Sequence, residues 1–192
     1  MTTLSTRNGL DLERMAQTIK LLQEQPALAN FEFRARNTWI GGGENRSTIK
    51  DFFGAGREDE SRSRSFEFTN GEPPVLLGNN EGANPVEFLL HALAGCVTTT
   101  TVLHGTARGI SIKSISTELE GTIDLQGLLA LDPGVPAGYR DIRIRMDIEA
   151  DCSDAELNEL LEFAQKHSPV CNTICRPVRV KLERRVMEKA AA

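Results

Sequence analysis

The longest apolar segment of the chain runs from Asn84 to Gly109, and its pattern predicts one buried helix. Asn84 can cap the first turn, Pro85 has the fixed φ and missing N–H that suit the first helical position, and Gly105 and Gly109 offer places to stop. Few charges interrupt residues 86 to 103, so the helix has no wide polar face and must be covered on most sides. Cys96 sits in its middle, beside the small residues Ala94 and Gly95.

Upstream, Leu12, Met15, Ile19 and Leu22 recur at helical spacing and predict an amphipathic helix over 11–23. It packs on the main body or a partner chain, or hangs as a loose arm. Residues 31–39 alternate with the period of a strand, Gly41 to Asn45 makes a turn, and 46–53 returns, which predicts a hairpin. Polar residues 54–64 read as an exposed loop, 65–69 as a third strand, and 72–83 as a connection rich in turn formers.

Downstream, apolar positions 110, 112, 115, 119 and 123 change parity between 112 and 115, so a long strand with a bulge is expected there. Residues 125–138 read as a loop. Ile142, Ile144, Met146 and Ile148 alternate with Arg143, Arg145 and Asp147, the mark of a half-solvated antiparallel strand. Ser153 and Glu156 form a capping box before a second helix whose stripe is Leu157, Leu160, Leu161 and Ala164. Pro169 interrupts that helix, a turn carries Cys171 and Cys175, and 177–186 alternates as a last strand. This order gives an α+β fold with antiparallel sheet. It divides into an N-terminal helical arm, 1–29, and a main domain, 30–192.

A chain of 192 residues can bury a core of its own. The net charge of -5 and the lack of a basic cluster exclude a nucleic-acid surface. His91 and His104 interrupt the best candidate for a membrane span, and the N-terminus has no apolar signal core, so a cytoplasmic protein without a membrane partner is expected. Cysteines at 96, 152, 171 and 175 are too unevenly placed for a secreted disulfide framework, leaving thiols, metal ligands or redox groups. His167, Cys171 and Cys175 recur at intervals of four, but Pro169 breaks the turn and no fourth ligand is obvious; no metal and no cofactor are expected. A free cysteine is most often a small buried hydrophobe, so a reactive Cys96 needs partners.

Two segments carry a family likeness: Asn84-Pro-Val-Glu-Phe-Leu-Leu-His-Ala-Leu-Ala-Gly-Cys96 and His167-Ser-Pro-Val-Cys-Asn-Thr-Ile174. With the order of elements they resemble the OsmC/Ohr superfamily, osmotically inducible and organic-hydroperoxide-resistance proteins, over roughly residues 30–186. The resemblance implies an intertwined homodimer in which antiparallel sheets wrap two central helices. It also implies a thiol peroxidase with a peroxidatic cysteine, a resolving cysteine, and an Arg and a Glu beside the sulfur. Cys96 falls on the peroxidatic position. The resolving position falls on Ser168, and the nearest following thiol is Cys171; the acidic position falls on Val86, and the nearest acid is Glu87. This pattern resembles a member outside the two best-studied peroxidase subfamilies.

A thiolate attacks peroxide oxygen, whereas apolar burial disfavours the thiolate, so a cation is needed nearby. Arg46, directly after the Gly-rich turn, takes about the place of the family's active-site Arg, with Arg34 and Arg36 as competitors. Glu87 lies nine residues before Cys96, about 13.5 Å along a helix, and cannot touch the sulfur of its own chain. It reaches Cys96 of a second subunit, holds Arg46 across the interface, or serves only as a first-turn acid. Cys171 is the expected partner for a disulfide with Cys96.

Two functions follow. In the first, the protein is a thiol-dependent peroxidase that reduces organic hydroperoxides with an external thiol reductant, among the apolar residues Leu89, Leu93, Val97 and Leu103. In the second, a non-catalytic dimer binds a small apolar ligand at its interface.

Overall fold

A computed structural model describes residues 5–176 and 178–184. It begins with a hairpin, β1 (Thr6–Arg7) and β2 (Leu10–Asp11), turned by Asn8 and Gly9. Both turn residues have positive φ, 50° and 79°, the backbone that an Asn-Gly pair adopts most readily in a two-residue hairpin. Asp11 then caps α1 (Leu12–Glu24) by accepting the Arg14 N–H. No residue of α1 is buried. What fastens the segment is Asn8, whose amide donates to Thr106 Oγ1 and the Ile110 carbonyl and accepts the Ile112 N–H.

The expected first hairpin is present with different bounds. β3 (Arg36–Gly41) pairs with β4 (Glu44–Ile49), and β4 pairs with β7 (Phe66–Asn70), in an antiparallel sheet ordered β3-β4-β7. Phe31 to Ala35 stay outside β3 apart from a single bridge, Glu32 to Phe53. Nor is 46–53 one strand. The chain breaks at Lys50 and Asp51, and β5 (Phe52–Gly54) turns back into β6 (Arg57–Asp59) inside the segment read as a loop. Alternation hides such a break, because the period continues across it while the pairing partner changes.

The central helix α2 spans Pro85–Ala107. Asn84 accepts the Val86 N–H while Glu87 accepts the Asn84 N–H, a reciprocal cap. Gly105 does not end it; the stop comes at Gly109, with φ +84°. Gly105 instead admits neighbours, since a Cβ there would stand 3.2 Å from Ile112 and Leu160 side-chain carbons. Contrary to the expectation from His91 and His104, α2 is long and apolar enough to cross a membrane by length and composition. A core helix passes the same test, and Leu93, Val97, Thr100, Thr101, Gly105 and Thr106 are buried.

After α2, β8 (Ile112–Ile123) pairs antiparallel with β9 (Tyr139–Ala150), and the register slips between Ile112 and Ser114, where the parity of the sequence changes. A helical turn, α3 (Leu125–Leu128), lies within the expected loop. Helix α4 (Asp154–His167) opens on the predicted capping box, with the Ser153 N–H donated to Glu156 at 2.9 Å. Helix α5 (Pro169–Cys175) follows with no intervening residue except Ser168. Of the last strand expected over 177–186, residues 178–184 have no sheet partner among the described residues, and Pro177, Arg185 and Val186 lie outside the described residues. The fold is therefore α+β with antiparallel sheets. Its core packs α2 against α4, α5 and β8, around buried Leu93, Val97, Leu160, Ala164 and Cys171.

Candidate functional site

Cys96 stands in the middle of α2, and what faces it comes from the break between α4 and α5. Proline cannot continue a helix, and the residue before it avoids helical backbone. Ser168 accordingly is extended, at φ -69° and ψ 118°, while Pro169 opens α5 at the position where a missing N–H costs nothing. The first N–H groups of a helix have no partner inside it. Val170 uses this freedom to donate its N–H to Cys96 Sγ at 3.4 Å, and the Ser168 hydroxyl donates to the same sulfur at 3.2 Å. Ser168 Oγ in turn accepts the Cys171 N–H at 3.4 Å, and the serine is fully buried. Two donors thus converge on one sulfur, held by a helix break that Ser168 and Pro169 dictate. On the other side, Thr100 donates its hydroxyl to the Cys96 carbonyl at 2.7 Å.

The serine that stands where the family likeness places a second cysteine is therefore in contact with Cys96. Cys171, one turn further, is buried against Leu93 and Val97, with Leu119, Ile142, Ile144, Met146 and Val170 around it. Its thiol is pushed up from the ordinary value, first by burial, then by a hydrogen bond with Cys175 and the charges of Cys175 and Cys96. The Cys171 and Cys175 sulfurs lie 3.9 Å apart, and Cys175 is exposed. Cys152, just past β9, is half-buried; burial and the nearby acids Glu156, Asp151 and Asp154 push its thiol up.

The other predicted groups sit elsewhere within one chain. Arg46 is on β4, its guanidinium 2.9 Å from Glu44 and mostly exposed. Arg34 is paired with Glu58 at 2.7 Å and with Glu32 at 3.1 Å, and Arg36 is exposed on β3. Glu87 closes the α2 cap. His167 stacks on Phe163 at 3.8 Å and donates Nδ1–H to the Phe163 carbonyl, and among the described residues no three His, Cys, Asp or Glu side chains form a metal-binding group. Leu93 and Val97 are buried as an apolar lining requires, whereas Leu89 and Leu103 are exposed. Sequence reasoning did not find Ser168 and Val170 as sulfur donors. The available signal was a Ser-Pro pair ending one helix and opening another.

A cleft of about 720 Å³ runs beside this centre, floored by Leu93, Val97, Ile142, Ile144 and Met146 and rimmed by Arg140, Asp141, Asn158 and Gln165. Cys171 and Cys175 belong to its wall, and Cys96 does not.

The model of the OsmC-like protein family matches residues 78–183, a span that contains Cys96, Ser168 and Cys171. The chain belongs to the OsmC-like family. Solved structures share the fold of this OsmC-like chain at low identity. An OsmC-like protein from Mycoplasma pneumoniae is 20% identical with a TM-score of 0.58, over 75% of this chain and 87% of that one. An OsmC-like protein of unknown function from Vibrio cholerae is 11% identical, with a TM-score of 0.56 over 74% and 92%. A Legionella pneumophila structure, described as an organic hydroperoxide resistance protein OsmC, is 15% identical, with a TM-score of 0.53 over 74% and 88%. No curated protein sequence matches the chain.

Proposed function

We propose that this OsmC-like protein is a thiol-dependent peroxidase of organic hydroperoxides, acting in cytoplasmic oxidative-stress defence as a homodimer. The observation that carries the reading is the pair of donors, Ser168 O–H and Val170 N–H, aimed at Cys96 Sγ. Donors of this kind stabilise negative charge on sulfur. The Cys96 thiolate attacks the terminal peroxide oxygen; the S–O bond forms as the O–O bond breaks, and the alcohol leaves with a proton. Cys96 becomes a sulfenic acid, which condenses with a thiol to a disulfide and water. Cys171 is the thiol inside the chain best placed for that step, and an external thiol reductant closes the cycle. The hydroperoxide-resistance description of the Legionella relative agrees with this chemistry.

The dimer completes the reading. In one chain α2 leaves a stripe of Leu89, Ala92, Gly95, Thr99 and Leu103 exposed, and the sheet β3-β4-β7 makes few contacts with the body. A second copy covers both if the sheets of each protomer enclose the two α2 helices. Arg46 and Glu87 enter the site only across such an interface, because within one chain Glu44 and the Asn84 cap hold them. Stopped-flow consumption of cumene hydroperoxide with a dithiol reductant tests the activity. Turnover no greater than that of Cys96→Ser would remove it.

A second reading has its own observation. The 720 Å³ cleft has an apolar floor and a polar rim, as small-molecule sites do, and Cys96 does not line it. A non-catalytic protein binding a small apolar ligand would show saturable uptake of a fluorescent fatty-acid probe that Cys96→Ser leaves unchanged and Ile144→Arg abolishes.

A further inference from the structure

Cys96 is half-buried with Ser168 and Val170 donating to its sulfur, and Cys171 is buried in the wall of the cleft. A disulfide between them would need a route out. The structure offers one in Cys175, which is exposed and has its sulfur 3.9 Å from that of Cys171. We infer that Cys175 is a third redox thiol, which takes over the disulfide from the Cys96–Cys171 pair and presents it to a reductant in the cleft. The inference rests on the peroxidase reading for its oxidant, an organic hydroperoxide, and on a dithiol as its reductant.

The exchange balances. The Cys175 thiolate attacks the Cys171 sulfur of the 96–171 disulfide; the new bond joins 171 to 175, and Cys96 leaves as the thiolate that the next hydroperoxide meets. No electrons enter or leave in this step. An external dithiol then reduces the 171–175 bond, becoming a disulfide itself. Geometry permits the new bond: residues four apart on a helix have Cα atoms about 6 Å apart, inside the range of about 4.4–6.8 Å that disulfides span. The Cβ atoms must still draw together, so the last turn of α5 has to open. Cys175 is the final residue of that helix, and the extended Arg176 that follows donates its N–H to Asn172 as the C-cap contact there. Burial pushes the Cys171 thiol up from its ordinary value, which slows its own reaction with peroxide in the reduced protein. Cys171 and Cys175 both line the cleft, where a reductant has room to approach.

Peptide mapping after oxidation decides it, with two oxidants so that the inference and the peroxidase reading fail separately. With one equivalent of cumene hydroperoxide, the wild-type protein is expected to accumulate the 171–175 disulfide, Cys175→Ser the 96–171 disulfide, and Cys171→Ser a Cys96 sulfenic acid trapped by dimedone. Steady-state turnover of Cys175→Ser should fall about tenfold or more while its single-turnover oxidation stays at the wild-type rate. The same mapping with diamide, which oxidises thiols without a peroxide step, should again give 171–175 in the wild type and 96–171 in Cys175→Ser. Diamide products as expected with no reaction toward hydroperoxide would support the exchange and remove the peroxidase reading. A wild-type map that holds 96–171 and never 171–175 with either oxidant would overturn the exchange, as would Cys175→Ser turning over at the full rate.

Discussion

From Pro85 to Cys175 the chain closes on itself, and before Pro85 it does not. The later part buries Leu93, Val97, Leu160, Ala164 and Cys171 and zips β8 to β9 along their full length. Among the described residues before Pro85, the buried ones are Gly54, Asn70, Gly71 and Gly78, none of them an apolar side chain. Phe33 and Trp39 are 70% and 71% exposed, and the rings of Phe31, Phe33 and Phe52 lie against one another with the Arg62 guanidinium 5.1 Å from the Phe52 ring. The two parts are similar in how strictly they alternate and differ in what covers them. One chain supplies a core for the part that holds the thiols; in the other part no apolar side chain is buried among the described residues.

The sharpest break of that comparison is a cavity in the closed part. Leu160 has no exposed surface and touches the helix-facing side of Gly105. Leu160→Ala should destabilise the protein by about 2–5 kcal/mol in urea unfolding, the range for leucines truncated in a packed core. A loss under about 1 kcal/mol would mean that the core is not where the structure puts it.

The open part should respond differently. If a second copy covers it, Trp39→Ala and Phe33→Ala weaken association and not only folding, at a cost of about 1–3 kcal/mol, and their Tm deficits shrink as protein concentration rises. Leu160→Ala should show a deficit that varies far less. Equal Tm values for the wild type across a hundredfold dilution, with a monomer in sedimentation, would defeat the dimer.

Caps link the two parts and give smaller effects. Ser153→Ala removes a cap wholly within the closed part and should cost about 1 kcal/mol. Asn84→Ala removes both the α2 cap and a side-chain donation to Glu72 in the open part, so it should cost more than Ser153→Ala by a measurable shift in the urea midpoint. Equal costs would show that the Glu72 contact carries nothing.

What the sequence made legible follows the same division. The α2 cap, the α4 capping box and the β8 bulge are local signals, written within four residues, and each stands where the pattern puts it. The split of 46–53 was not legible, since β4 and β5 choose different partners without any change of period. The strand expected over 177–186 alternates correctly, yet Val178, Val180 and Leu182 are exposed and have no sheet partner among the described residues; alternation states that a strand has two faces, not whose sheet it joins. At the site, the position of Cys96 on α2 was readable. Its donors were not, because a hydroxyl and an N–H become donors to sulfur only when the break at Pro169 folds back on α2.

The smallest expected effect concerns pH. His104, near the end of α2, lies 4.7 Å from the Phe163 ring, with the His167 ring 5.9 Å away and the Arg108 guanidinium over the same Phe163 at 4.6 Å. Burial above all, then His167 and Arg108, holds its pKa below the ordinary 6.5. The folded state therefore takes up the His104 proton less readily than the unfolded chain does. Wherever the unfolded state binds more protons, stability rises with pH. The contribution of a neutral His104 is thus fully present above about 6.5 and is lost as pH falls below it, through the lower folded value. Carboxylates held low in the fold, such as Asp124 and Glu156, lose their contribution only in the more acidic range below their ordinary values of 3.8 and 4.5. Between pH 7.5 and 5.5 the fall in Tm should then be reduced in His104→Gln relative to the wild type. An identical fall in both proteins would show that the His104, Phe163 and Arg108 cluster does not discriminate against the imidazolium.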